Sequence, residues 1–170
     1  MAGLAASLVS QGEASVSLSD IPELQLQRAQ QRNAARNSLS ATTRVLDWYD
    51  CLEPSFEPAA QYDLVLAADC IYYEEHAQAL AAALLRHIAP GGTALLANRL
   101  GRAGDAVHAL MGHLEAAGVR ATTEEWAVVN NFSSEPLQLL SFSAPSGDHA
   151  SRLSSRLRTP VREHEDEQGA

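Results

Sequence analysis

Tyr62-Asp63-Leu64-Val65-Leu66-Ala67-Ala68-Asp69-Cys70-Ile71-Tyr72-Tyr73-Glu74-Glu75 is the stretch on which the fold turns. Its first seven residues are almost all apolar and do not alternate, as a strand does when helices cover both faces of a parallel sheet. They stop on an aspartate. The period then changes: Leu80, Leu84, Leu85 and Ile88 share one helical face, which predicts a helix from Glu74 to Ile88. Pro90-Gly91-Gly92 stops that helix, and Thr93 to Ala97 reads as the next strand. Strand, helix and strand in this order are the repeating unit of an α/β sheet.

The same alternation extends both ways. Upstream, Gly3 to Ser10 reads as a short helix ended by Gly12, and Ser15 to Ser19 alternates as a strand closed by Asp20. Pro22 suits the first turn of a helix running to about Asn37. Arg44-Val45-Leu46 reads as a short strand, followed by a loop to Gln61 that holds Pro54 and Pro58. Downstream, Ala103 to Ala117 carries the cleanest helical period, with Gly118 as its stop. Val119 to Val129 and Leu137 to Phe142 read as two strands around a turn, an antiparallel end to the sheet. After Pro145 no period survives. The expected organisation is one α/β domain over 1–144 and a disordered tail over 145–170.

Composition narrows the function. The chain of 170 residues has a formal net charge of −9, and every one of its 12 basic residues is arginine. Phosphate neutralisation needs clustered cations, so nucleic acid is not an expected partner. Arg152, Arg156, Arg158 and Arg162 are grouped, but Glu163, Glu165, Asp166 and Glu167 follow them directly. Two cysteines and scattered histidines make neither a disulfide framework nor a metal site. The apolar run from Ala2 to Val9 is too short for a signal or spanning helix, so no membrane is expected, and the expected location is cytoplasmic, with nucleus and plastid as further choices.

Three strand ends carry the chemistry: Asp20, then Asp47-Trp48, then Ala68-Asp69. In an open α/β sheet, ligands lie outside the carboxyl ends of the strands, and an acidic residue there can accept both hydroxyls of a ribose diol. Trp48 offers a face for a purine. Each residue also has a plainer reading. Asp20 is equally well an N-cap, Trp48 a core aromatic, and Tyr72 and Tyr73 ordinary packing at a helix start.

Ala67-Ala68-Asp69-Cys70-Ile71-Tyr72-Tyr73 resembles a segment of the class I, seven-β-strand, S-adenosylmethionine-dependent protein-lysine methyltransferases, whose hallmark is Asp-x-x-Tyr. Ser19-Asp20-Ile21-Pro22-Glu23-Leu24-Gln25 resembles the ribose-binding strand end of that family. Leu46-Asp47-Trp48 resembles its adenine-contacting Leu-Asp-Trp-Gly, with Tyr49 in the place of glycine. Within the family, the likeness is nearest to the branch acting on valosin-containing protein. The resemblance implies a Rossmann-like class I methyltransferase fold with S-adenosylmethionine as cofactor. It implies donor contacts from Gly3, Asp20, Asp47, Trp48 and Ala68, and an acceptor channel bordered by Asp69 and Tyr72. Its implied substrate is a lysine-bearing protein of the chaperone or AAA-ATPase kind.

The family's domain opens with a strand and a glycine-rich loop, and spacing puts Gly3 at the last glycine of that loop. The expectation is therefore a domain lacking its first strand, whose neighbours lose a ladder of hydrogen bonds and whose donor affinity suffers. Other readings stay open: an inactive methyltransferase-like module that binds a partner, a small-molecule methyltransferase, and a nicotinamide oxidoreductase without its dinucleotide fingerprint.

Overall fold

The computed structural model describes residues 6, 10, 13–126 and 136–144, with only the backbone for Leu24, residues 100–103 and Trp126. The expected helix at Gly3–Ser10 and the tail beyond Ala144 lie outside the described residues for the most part. The element order is β1 (Val16–Asp20), α1 (Leu24–Arg36), β2 (Ala41–Val45), β3 (Tyr62–Ala68), α2 (Ala77–His87), β4 (Ile88–Arg99), α3 (Leu100–Ala116), β5 (Thr122–Trp126) and β6 (Leu137–Ser143). Short 3₁₀ turns at Tyr49–Leu52 and Glu74–His76 precede β3 and α2.

These strands form two sheets. β1 and β2 pair in parallel from Val16↔Ala41 to Asp20↔Val45. The second sheet has the order β3-β4-β6-β5, with β3 parallel to β4 and the remaining pairs antiparallel, as the sequence pattern predicts. β1 and β3 are therefore each paired along one edge only among the described residues.

The main core lies between this sheet and two helices. Ala94 and Leu96 of β4 and Leu140 and Phe142 of β6 meet Leu80 and Leu84 of α2 and Val107, Leu110 and Leu114 of α3. The pairs Ala94↔Phe142 and Leu96↔Leu140 put those four side chains on one face, as period-2 alternation requires. A second cluster seats Cys51 against Ala82 and Ala83 of α2, with Leu46, Trp48, Leu52 and Phe56 around it. That cluster joins the segment after β2 to the main body. α1 covers the β1–β2 pair through Ala34 against Leu18.

Several boundaries differ from the sequence reading, each for a physical reason. β2 spans Ala41–Val45 rather than 44–46, because a strand with one partner needs little apolar surface and β-branched Thr42 and Thr43 suit it. The helix expected over 74–88 begins with the 3₁₀ turn, and Ile88 leaves it to bridge Tyr62. The register then jumps to Leu64↔Thr93, so Ala89–Gly92 form an irregular stretch within β4. Gly91 there has φ +79°, and a Cβ on Gly92 would lie 2.9 Å from the Ala89 carbonyl oxygen. Both glycines are needed, the first for conformation and the second for space. At the end of α3, Gly118 (φ +84°) donates to the Glu115 carbonyl while Val119 donates to that of Leu114, closing the helix as its sequence suggests.

β3 departs most from expectation. Its bounds are those read from the sequence, but it is not covered on both faces: Leu64 is 50% exposed. Val65 and Ala67 pack on the core, while Leu64 lies on the opposite face. A run of apolar residues without alternation marks a strand correctly, yet it overstates how much of that strand is buried.

Candidate functional site

Short contacts link the carboxyl end of β1 to the segment after β2, and that segment to the one after β3. The Leu46 N–H donates to the Asp20 carbonyl at 2.8 Å, extending the β1–β2 pairing to the start of the Asp47-Trp48 segment. The Tyr49 hydroxyl then lies 2.7 Å from His76 Nδ1, which brings that segment against the one following β3. These contacts link the segments that carry Asp20, Asp47, Trp48, Asp69 and Tyr72.

Asp20 does not cap α1: the N-cap position is Glu23, without a side-chain cap. Instead its Oδ1 accepts the N–H of Ile21 at 3.0 Å and its Oδ2 accepts Gln30 Nε2 at 3.3 Å. These bonds fix the carboxylate at the strand end while lone pairs remain for other donors. Gln30 Oε1 is buried beside it with no hydrogen-bond partner, and Ile21 is 43% exposed. A carboxylate next to an exposed apolar side chain suits a diol attached to a flat base.

Asp47 and Trp48 have clear local work. Asp47 Oδ1 accepts the N–H of Tyr49 at 3.0 Å, which sets up the 3₁₀ turn. Trp48 is half-buried and packs on both the main core and the Cys51 cluster. Arg86 of α2 holds the other end of this segment, donating from Nε to Cys51 O at 2.7 Å, from Nη1 to Phe56 O at 2.8 Å and from Nη2 to Glu53 O at 3.1 Å. Nothing in the sequence pattern marks Arg86, which sits within an otherwise apolar helix.

Ala68 ends β3 with its residue exposed, and Asp69 follows with φ +50°. This left-handed conformation is uncommon for any residue with a Cβ, and aspartate is among the few that adopt it readily. The backbone is tied on both sides: Asp69 N–H donates to Ala97 O at 2.8 Å, and the Tyr72 hydroxyl donates to Asp69 O at 2.6 Å. Backbone strain of this kind gathers at functional sites. The Asp-x-x-Tyr spacing therefore has a structural meaning here, a tight turn closed by its own tyrosine. Gly3, the remaining expected donor contact, lies outside the described residues.

Besides Arg86, sequence reasoning missed His76 and Asn98. His76 joins the two segments, and only its place at the start of α2 could have drawn notice. Asn98 follows Ala97 at the carboxyl end of β4, is 2% exposed, and its Oδ1 has no hydrogen-bond partner. A polar side chain closing an apolar strand is the available signal.

The two cysteines are chemically quiet. Burial pushes the Cys51 thiol up to about 11, partly opposed by Arg86 and reinforced by Asp50 and Asp47. Burial also raises Cys70 to about 11, opposed by a backbone hydrogen bond and reinforced by Asp69. Since the thiolate is the nucleophile, iodoacetamide at pH 8 should label both at least ~100-fold more slowly than a free cysteine. Fast labelling of Cys70 would show that the turn after β3 opens readily.

Comparison with known proteins bears on this site. A family model described as lysine methyltransferase matches residues 1–111, which include every strand end discussed above. No curated protein matches the chain. Among solved structures, a methyltransferase from Pyrococcus furiosus is similar at TM-score 0.60 and 14% identity, covering 82% of this chain and 68% of its own. The N-methyltransferase NodS from Bradyrhizobium japonicum WM9, in complex with S-adenosyl-L-homocysteine, is similar at TM-score 0.58 and 17% identity, covering 85% and 74%. A SAM-dependent methyltransferase from Methanosarcina mazei is similar at TM-score 0.60 and 12% identity, covering 84% and 87%. The structural likeness speaks for a class I, Rossmann-like methyltransferase fold, and the family match adds that the chain belongs to the lysine methyltransferase family.

Proposed function

We propose that this S-adenosylmethionine-dependent methyltransferase acts on the side-chain amine of a lysine in a protein. The observation that carries the reading is the turn after β3, where Asp69 is held in a left-handed conformation by Ala97 O and the Tyr72 hydroxyl. Asp20, with Gln30 behind it, would hold the ribose, and Ile21 and Trp48 would flank the base. Bound here, the cofactor supplies a sulfonium methyl as the electrophile. Asp69 and Tyr72 would orient a neutral amine toward that methyl; as the N–C bond forms the S–C bond would break, S-adenosylhomocysteine would leave, and the proton of the methylated amine would pass to water. Such a displacement depends mainly on positioning, so no dedicated general base is assigned.

Two further points belong to the proposal. The partner is a lysine-bearing protein, with the chaperone and AAA-ATPase kind as first candidates. The proposed location is cytoplasmic, as the sequence reading expects.

The test has two arms. S-adenosylhomocysteine is titrated into this chain and into a version extended by the upstream reading frame. Asp20→Ala should weaken whichever form binds by about 10- to 100-fold, the scale of one hydrogen-bonded charge. Binding by neither form sinks the donor reading. The binding form is then incubated with methyl-labelled S-adenosylmethionine and a cell extract, and the products are hydrolysed. Label in methyllysine is expected, and label confined to small molecules would replace the protein substrate with a small one. Residues 1–170 hold no lysine, so where this chain is the binding form self-labelling cannot give a false signal in methyllysine.

A further inference from the structure

Tyr49 stands where the resembling segment has glycine, and its side chain spans a gap that a glycine would leave open. It projects from the turn after β2, and its hydroxyl lies 2.7 Å from His76 Nδ1 and 3.4 Å from the Glu75 carbonyl oxygen. The Tyr49 and His76 rings meet edge-on, with centroids 5.9 Å apart at 87°. On its other side His76 meets Tyr73 edge-on at 5.8 Å and 77°. Edge-to-face contact at these separations is the favoured arrangement of such rings. The three rings thus form a bridge from the Asp47-Trp48 segment to the Asp69–Glu75 segment.

His76 is suited to this and not to the usual duty of its position. It is the N-cap residue of α2, yet its side chain makes no cap hydrogen bond. With the ring proton on Nε2, Nδ1 accepts the Tyr49 hydroxyl. The bridge is anchored at both feet: Asp47 fixes the Tyr49 backbone, and Tyr72 closes the turn that leads to Tyr73.

We infer that His76 is a positioning residue which, through Tyr49, sets the spacing between the donor-side segment (Asp47, Trp48) and the acceptor-side turn (Asp69, Tyr72). The inference rests on the proposed function for which side of the bridge is which. It does not need that reading for the bridge itself. In-line transfer depends on this spacing, so the bridge acts on geometry rather than on chemistry. Tyr49 and His76 touch neither reacting atom.

The test uses the whole chain and reads two quantities. The first is amide hydrogen exchange over residues 69–75 without ligand, in wild type, Tyr49→Phe, His76→Ala and His76→Asn. Loss of the bridge should speed exchange about fivefold or more in Tyr49→Phe and His76→Ala, because local opening becomes easier. His76→Asn keeps a polar atom near the Nδ1 position and should restore slow exchange. Unchanged exchange in both Tyr49→Phe and His76→Ala would overturn the bridge.

The second quantity is the protection of residues 69–75 on adding S-adenosylhomocysteine. Wild type should gain protection there, and Tyr49→Phe should lose that gain while its affinity changes less than about threefold. Protection transmitted equally by wild type and Tyr49→Phe would overturn the positioning role. If wild type binds no S-adenosylhomocysteine, this measurement is made on the extended form; binding by neither form sinks the donor reading, and the ligand-free exchange still decides the bridge.

Discussion

Arg86→Met is expected to lower stability by about 3 kcal/mol, measured as a fall in the urea midpoint at unchanged slope. Arg86 is 8% exposed and donates to the carbonyls of Cys51, Glu53 and Phe56. Its guanidinium carbon also sits 5.7 Å from the centre of the Phe56 ring. Methionine keeps the apolar stem and removes the donors. Each carbonyl left without a partner costs roughly 1–3 kcal/mol, but water reaches the two less buried ones, so the sum stays near the low end. Removing a buried charge also recovers some desolvation energy, which offsets part of the loss. What remains is a large share of the 5–15 kcal/mol that holds a typical domain together.

The local consequence should exceed the global one. The segment from Trp48 to Phe56 has little secondary structure of its own, and Arg86 ties three of its carbonyls to α2. Arg86→Lys should recover only part of the loss, because an ammonium cannot serve three diverging carbonyls as a planar fork does. Protein that stays folded in Arg86→Met should bind S-adenosylhomocysteine more weakly, since Trp48 lies on the freed segment. An unchanged urea midpoint would show that the Cys51 cluster alone seats it.

Arg86 also shows why part of this molecule was hidden in its sequence. Periodicity found β3 at its true bounds, placed α3 within three residues and gave the antiparallel end, because those elements bury one face against the core. It said nothing of a buried arginine, whose partners are backbone carbonyls with no side-chain signature. The 3₁₀ turn at Tyr49–Leu52 escaped for a similar reason, being built from Asp47 Oδ1 and a buried cysteine rather than from a period. The strand ends were legible as positions: Asp20 ends β1, Asp47-Trp48 follow β2 and Asp69 follows β3. Their connection through Tyr49 and His76 was not, because two residues 27 positions apart announce no contact.

Asp69→Asn should reduce methyllysine formation at least ~100-fold while leaving S-adenosylhomocysteine affinity within about threefold, the pattern of a group that acts on the acceptor in the transition state. Asparagine is chosen because it tolerates the left-handed conformation that Asp69 adopts at φ +50°. Alanine would confound the result, since the conformation itself penalises it by roughly 1 kcal/mol. Both backbone anchors survive the change to asparagine, the N–H to Ala97 O and the carbonyl that accepts the Tyr72 hydroxyl. Only the charge and one acceptor oxygen are altered. Tyr72→Phe offers the complementary case: it frees the turn but keeps the carboxylate, and should cost turnover less, about tenfold, through lost positioning. If Asp69→Asn retains full turnover while Tyr72→Phe loses it, the aspartate serves the shape of the turn rather than the amine. The acceptor side of the site would then have to be sought at Asn98, the buried amide across the strand pair.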